Sequence, residues 1–350
     1  MPNHIFINPP FEQCHGSTLA LLSDGSVAVS WFAGTKEGNP DTSIWFCRQT
    51  NGEWDKPFVI AKEGNMAHWN PVLHSMEDGT LRLYFKTGLF PDSWDTWQMT
   101  IDEHGKVLSS PQLLMPITLN DIGKITLGPV RGKMLKTSSG ALIAPSSVEK
   151  ILNKDVVGFY VQRDVLWNSV MHRSTDNGET WSTFIIPYSR MTNEDGGIIQ
   201  PSVWEIKPNH LGAFFRSTTG YLFRSESYDD GITWNPATET SIPNPNSAVD
   251  VVRLGDVLVL VYNPRSGNWV RRTPLSVVFA SLDGHCFSNP VNIDDYILGN
   301  YSYPSVITLS DNMLAVTYTW NRRFINFAKI KNDNGKPVIE FCPKPYQFND

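Results

Sequence analysis

The chain has 350 residues, 41% of them hydrophobic and 18% charged, with a formal net charge of −6. That is enough apolar material for a large packed core and too little charge for wholesale disorder. The acidic balance speaks against nucleic acid as the main partner, because phosphate binding needs a basic footprint.

No uninterrupted apolar run reaches the roughly 18 residues of a spanning helix, so no membrane partner is expected. The opening MPNHIFINPPFEQ has no basic segment followed by an apolar one, and a cytoplasmic protein is the expectation. Cys14, Cys47, Cys286 and Cys342 are far apart with no CxxC pair, which predicts free thiols, no metal site and no cofactor. The 12 Trp, 24 Pro and 25 Gly suit many short strands joined by turns.

Along the chain, turn signals recur between pairs of apolar runs. They are Asp24-Gly25, Asp78-Gly79, Ser139-Gly140, Asn209-His210, Gly255-Asp256 and Asp311-Asn312. The first separates STLALL from VAVSWF, and the last separates PSVITL from LAVTYTW. A second series interleaves with these. It begins with Thr50-Asn-Gly52-Glu-Trp54 and Asp102-Glu-His-Gly105. Two closely matching segments follow, Ser174-Thr-Asp176-Asn-Gly178-Glu-Thr180-Trp181 and Ser227-Tyr-Asp229-Asp-Gly231-Ile-Thr233-Trp234, both of the form S-x-D-x-G-x-T-W. Ser281-Leu-Asp283-Gly284-His-Cys-Phe287 and Asn332-Asp-Asn-Gly335 close the series.

The six glycines are 53, 73, 53, 53 and 51 residues apart. The Asp carboxylate suits accepting backbone N–H bonds in a tight turn, and Gly suits positive φ. Strand, turn, further strands and box turn, repeated six times, predict an all-β, six-bladed β-propeller of four-stranded antiparallel blades. No linker divides it, so residues 1–350 read as one domain. The 73-residue interval predicts an inserted loop around PITLNDIGKITLGPV.

In such a ring the innermost strands start near the axis. Residues ahead of each first turn should therefore converge: His15 and Gly16, His68 to Asn70, Arg131 and Lys133, Gln200, Asn246 with Asp250, and Tyr303. The chain returns to that face with Lys36, Glu37 and Asp41, Lys86 with Trp94, Ser147 with Glu149, Arg216, Arg271-Arg272, and Arg322-Arg323. Convergent polar and aromatic groups predict a ligand site. The lysines Lys36, Lys86 and Lys133, with the arginines, predict a positive potential there.

The boxes in sixfold repeat resemble the Asp boxes of sialidases and their BNR-repeat relatives, over essentially the whole chain. The resemblance implies a substrate carboxylate held by arginines, a nucleophilic Tyr activated by Glu, and an Asp acid/base. On the positions that match, it implies Arg216 as one clamp arginine, Arg271 or Arg272 as another, Tyr303 as nucleophile, and Glu37 or Asp41 as acid/base. Two positions depart from the pattern. His15 stands where the first arginine is expected, and Gln200 stands where the activating Glu is expected. Without a neighbouring base a phenol is a poor nucleophile at neutral pH.

Three functions follow as expectations. The leading one is a sialidase-like exo-glycosidase acting on a terminal carboxylated sugar, with His15 and His68 as further catalytic candidates. Asn70, Lys133, Gln200, Asn246 and Asp250 are the candidates for further substrate contacts. The second is a uronate lyase, with arginine neutralising the carboxylate, His15 or His68 as base and Tyr303 as acid. The third is a non-catalytic glycan-binding propeller in which Trp31, Trp69 and Trp94 stack sugar rings.

Overall fold

The computed structural model of the chain describes residues 4–119, 122–157, 160–189, 196–340 and 345–348. Among the described residues the regular structure is strand, apart from a short 3-10 turn at Pro91–Ser93. Strand pairing groups the chain into consecutive antiparallel sets, the third and fourth of which are joined by a short parallel pairing of Leu166 and Trp167 with Gly196 and Gly197. The first contains Gln13–Leu21, Val27–Gly34, Ser43–Thr50 and Phe58–Ala61. The second runs through His68–Ser75, Leu81–Thr87, Asp95–Ile101 and Gln112–Leu114. The third has Leu135–Lys136, Leu142–Val157, Tyr160–Ser174 and Ser182–Ile185. Gly196–Lys207, His210–Ser217, Tyr221–Ser227 and Thr238–Pro243 make the fourth. The fifth is Asp250–Leu254, Val257–Tyr262, Leu275–Ser281 and Val291–Asp294. The sixth is Tyr301–Ser310, Met313–Trp320, Phe324–Asp333 and Lys336–Glu340.

The sets are arranged as a β-propeller, and the box turns show how neighbours are seated. A Cβ on Gly105 of the second set would meet Phe46 and Phe58 of the first. One on Gly231 of the fourth would reach Ile143 of the third at 2.9 Å, and one on Gly284 of the fifth would reach Trp204 of the fourth at 3.0 Å. Each of these turns thus presses on the set before it. The ring closes where Trp54 of the first set packs on Phe327 of the sixth at 5.1 Å between ring centroids. The N-terminal strand Phe6–Ile7 also pairs with Tyr346–Gln347, and the Ile5 amide donates to the Ile325 carbonyl at 2.8 Å.

The two full boxes form the same bonds. Ser174 and Ser227 hydroxyls each accept the Gly amide at 2.8 Å. Asp176 and Asp229 each accept both the backbone amide and the hydroxyl of the following Thr. All six box glycines have φ between 69° and 87°. The box tryptophans differ. Trp234 is buried and donates to the Gly231 carbonyl at 3.1 Å, whereas Trp181 is only half-buried. Trp234→Ala is expected to cost roughly 3–5 kcal/mol, with a smaller loss for Trp181→Ala, because less apolar surface is emptied there. Thermal unfolding of the two variants checks this ordering.

The long interval is used twice. Ile117–Leu119 and Gly123–Ile125 form a separate two-stranded ribbon at the expected place. The hairpin Leu142–Val157/Tyr160–Ser174 is also extended well beyond the length of its counterparts, which sequence spacing did not reveal. The ribbon packs on its base through Ile122, Ile125, Val148 and Val170.

One feature of the backbone repeats in every set. Gly16, Asn70, Arg131, Gln200, Asn246 and Tyr303 all have φ between 42° and 70°. In four sets the inner-strand register shifts at this point, between His15 and Thr18, Trp69 and Val72, Ile199 and Ser202, and Ser302 and Ser305. Such bulges re-aim side chains. A bulky residue such as Tyr is an outlier at positive φ, a strain that persists where the surroundings over-determine it.

Candidate functional site

Three of those left-handed residues meet at a cavity of about 380 Å³, within the size range of small-ligand sites. Asn70, Gln200 and Tyr303 line it, with Glu37, Glu149 and Arg216. Its aromatic walls are Trp69, Trp94, Trp167 and Trp269.

Arg216 is the best-braced group in the cavity. It leaves the end of the strand His210–Ser217, is 2% exposed, and donates from Nε to Asn246 Oδ1 at 2.8 Å and from Nη1 to Gln200 Oε1 at 2.9 Å. Its guanidinium carbon lies 5.3 Å from the ring centroids of both Trp167 and Trp269. Neutral amides and π faces hold the cation in place without neutralising it, so its charge is available to an anion.

Tyr303 sits beside it. The Gln200 amide donates to its hydroxyl at 3.4 Å, and the Arg131 guanidinium lies over its ring at 4.9 Å. Burial pushes the phenol up. The cations Arg216, Arg272 and Arg131 and the Gln200 hydrogen bond outweigh that and leave its pKa below the ordinary value. Gln200 therefore meets the phenol as a hydrogen-bond donor, and its amide cannot take a proton. Arg131 itself is buried and donates to the Pro304 carbonyl. Arg272 donates to the Asn246 carbonyl at 3.1 Å; burial and the nearby Arg216 lower it to about 10, so it remains a cation at neutral pH.

His15 is 2% exposed, 4.2 Å from the Tyr303 ring between centroids, and neither ring nitrogen has a hydrogen-bond partner among the described residues. Burial, followed by Arg322, Arg272, Arg131 and Arg216, drives its pKa well below the usual value. It is a neutral imidazole beside the phenol and does not replace the missing arginine as a cation.

The other expected residues divide sharply. Glu37 reaches the cavity but is ion-paired with Arg322. Asp41 does not reach it. Its carboxylate accepts the Thr35 amide at 2.7 Å and the Thr35 hydroxyl at 3.0 Å, and it borders a separate cleft with Phe11 and Trp45. His68 is a structural residue: Nδ1 bonds the Met66 carbonyl at 2.9 Å and Nε2 accepts the Glu63 amide at 2.7 Å. Burial, largely, lowers His68 to about 4. Arg271 is exposed and bonds the Gly299 carbonyl, so Arg272 is the one of the pair that faces Arg216.

Lys133 and Asp250, outside the cavity lining, hold neighbouring sets together. Their ion pair is 2.8 Å long, and the Asp250 carboxylate also accepts the Ser202 hydroxyl at 2.7 Å and the Val306 amide at 2.8 Å. Four sets are joined at one buried carboxylate. Asp250→Ala would leave Lys133 uncompensated and is expected to cost about 3–5 kcal/mol, read from thermal unfolding.

The expected lysine contribution to a positive cavity is not found. Lys36 is exposed, and Lys86 is fully buried and bonded to Thr96 and to the Leu127 carbonyl at 3.4 Å. Lys133 is tied to Asp250. Arginine supplies the positive charge instead. Trp31 lies fully in the core, whereas Trp69 and Trp94 do line the cavity. Among the described residues no cluster of His, Cys, Asp or Glu has metal-binding geometry.

Sequence reasoning gave no role to Trp167, Trp269, Arg131 or Glu149. Glu149 was on the converging face, and its signal was only its place at the end of a second strand. Trp167 and Trp269 carry no repeat signal. The first comes from the extended hairpin and the second from a loop, where it is 62% exposed at φ 59°.

The fold has solved relatives. A protein of unknown function from Dyadobacter fermentans superposes with a TM-score of 0.74 at 16% identity, covering 97% of this chain and 98% of its own. NanB sialidase from Streptococcus pneumoniae, as a K499G mutant, matches with a TM-score of 0.70 at 14% identity, over 93% of this chain and 69% of its own. Trypanosoma rangeli sialidase in complex with sialic acid matches with a TM-score of 0.63 at 15% identity, over 93% of this chain. The chain spans about half, 55%, of that trypanosomal protein. A sequence search of curated proteins finds no match. The family model described as a BNR repeat-like domain matches residues 25–316, and the chain belongs to that family.

Proposed function

We propose that the chain is a glycan-processing enzyme that takes a terminal carboxylated sugar into the central cavity and hydrolyses its glycosidic bond. The observation that carries this reading is the Tyr303 phenol, held at strained φ among Arg216, Arg272 and Arg131 with its pKa lowered. The sugar carboxylate pairs with Arg216 and Arg272, which places the anomeric carbon near Tyr303. The phenol releases its proton to solvent water in the cavity, and its oxygen bonds to the anomeric carbon as the bond to the leaving oxygen breaks. Water then attacks the same carbon as its bond to the tyrosine oxygen breaks, and the phenolate takes a proton back from solvent. The likeness to sialidases supports the substrate class.

A second reading, elimination from a uronate, is favoured by His15. A neutral imidazole touching the Tyr303 ring is a base beside an acid, without the carboxylate that a nucleophilic tyrosine normally uses. Mass spectrometry of a panel of acidic oligosaccharides separates the two. Hydrolysis products together weigh one water more than the substrate, whereas elimination products sum to the substrate mass and absorb in the ultraviolet. No cleavage of any member would overturn the enzymatic reading.

A further inference from the structure

The hydrolytic reading needs a group that gives a proton to the departing oxygen, and neither Tyr303, whose oxygen bonds to the sugar, nor the arginines that hold its carboxylate can supply it. Two carboxylates line the cavity. Glu37 is committed to Arg322. Glu149 lies on the extended hairpin of the third set and is paired in register across that hairpin with Trp167. Trp167 in turn stacks against Arg216, so the hairpin pairing sets Glu149 next to the carboxylate clamp.

We propose that Glu149 donates the proton to the departing glycosidic oxygen, a role that rests on the hydrolytic reading given above. As the bond from the anomeric carbon to the leaving oxygen breaks, the Glu149 hydroxyl proton moves to that oxygen. The resulting carboxylate then takes a proton from the water that attacks the anomeric carbon, which returns Glu149 to its acid form.

The surroundings favour a carboxylic acid at this place. Burial, with a smaller contribution from Asp92 on the loop after the second set's second strand, raises Glu149 to about 7. Arg216 from the fourth set and a hydrogen bond from Trp167 oppose the shift without cancelling it. Tyr303 and Glu37 are the other titratable groups lining the cavity, and Lys124 near Asp92 is paired with Asp95 at 2.7 Å. Glu149 works as a donor only when protonated, so turnover falls as pH rises through about 7. An anionic sugar bound at Arg216 would hold the acid form to still higher pH.

The test uses the full chain and two leaving groups on the same acidic sugar. One substrate is a disaccharide, whose sugar alkoxide must be protonated to depart; the other is the nitrophenyl glycoside, whose leaving group departs unaided. Glu149→Gln is expected to lower turnover of the disaccharide about 100-fold or more. It should lower turnover of the nitrophenyl glycoside by less than about tenfold and remove the alkaline limb of the pH profile. Glu149→Asp, which keeps a proton donor, should retain that limb. Equal losses on both substrates, or no loss on either, overturn the assignment of Glu149. If Arg216→Ala and Tyr303→Phe still abolish activity in that case, the hydrolytic reading survives alone. Absence of turnover of both substrates by the unaltered chain overturns the two together.

Discussion

Arg216→Ala is expected to weaken binding of an oligosaccharide ending in a carboxylated sugar by about tenfold to 150-fold. That corresponds to roughly 1.5–3 kcal/mol for a lost charge-assisted interaction. The loss should not be recovered by Arg216→Lys. An ammonium cannot keep both the Gln200 and Asn246 bonds in the plane that fits between Trp167 and Trp269. Calorimetric titration measures the effect. Thermal unfolding of the same variant shows whether the ring persists. Unchanged affinity in a folded Arg216→Ala protein would place the carboxylate elsewhere.

Tyr303→Phe is expected to lower turnover at least about 100-fold while leaving affinity almost unchanged. The substitution removes one oxygen and keeps the ring that His15 and Arg131 contact, so packing and backbone strain are preserved. The only hydrogen bond lost among the described residues is the long one from Gln200 at 3.4 Å. Comparing kcat with the dissociation constant of an acidic oligosaccharide separates chemistry from binding. Parallel loss of both would make Tyr303 a binding residue and not the reacting one.

The repeat was legible because box turns are local. Asp176 and Thr180, or Asp229 and Thr233, satisfy one another within a few residues, and their bonding follows from the order of side chains alone. Gln200, Arg216 and Tyr303 were legible for a related reason. A propeller sends the start of each inner strand to the axis, so positions in the repeat translate into positions around the cavity. Arg216 and Tyr303 accordingly meet across 87 residues of sequence, with Gln200 bonded to both.

Side-chain direction was not legible. Asp41 and Glu37 are four residues apart on one loop, yet Asp41 turns back to cap Thr35 and Glu37 faces the cavity. His68 precedes Asn70 by two residues and is drawn away by the Met66 carbonyl and the Glu63 amide. Which of Arg271 and Arg272 faces inward depends on whether the Gly299 or the Asn246 carbonyl is in reach. Those partners lie on other segments and are absent from any local pattern.

The sequence by itself determined the all-β repeat, the turn chemistry and the family of converging residues, because these depend on neighbours a few positions away. The tertiary structure alone decided which of those residues carry charge at the site. Burial among four arginines makes His15 neutral, and a hairpin extended beyond its repeat length brings Glu149 and Trp167 to the cavity. Desolvation and Coulomb interactions act through space between groups far apart in the chain, and only the closed ring sets those separations.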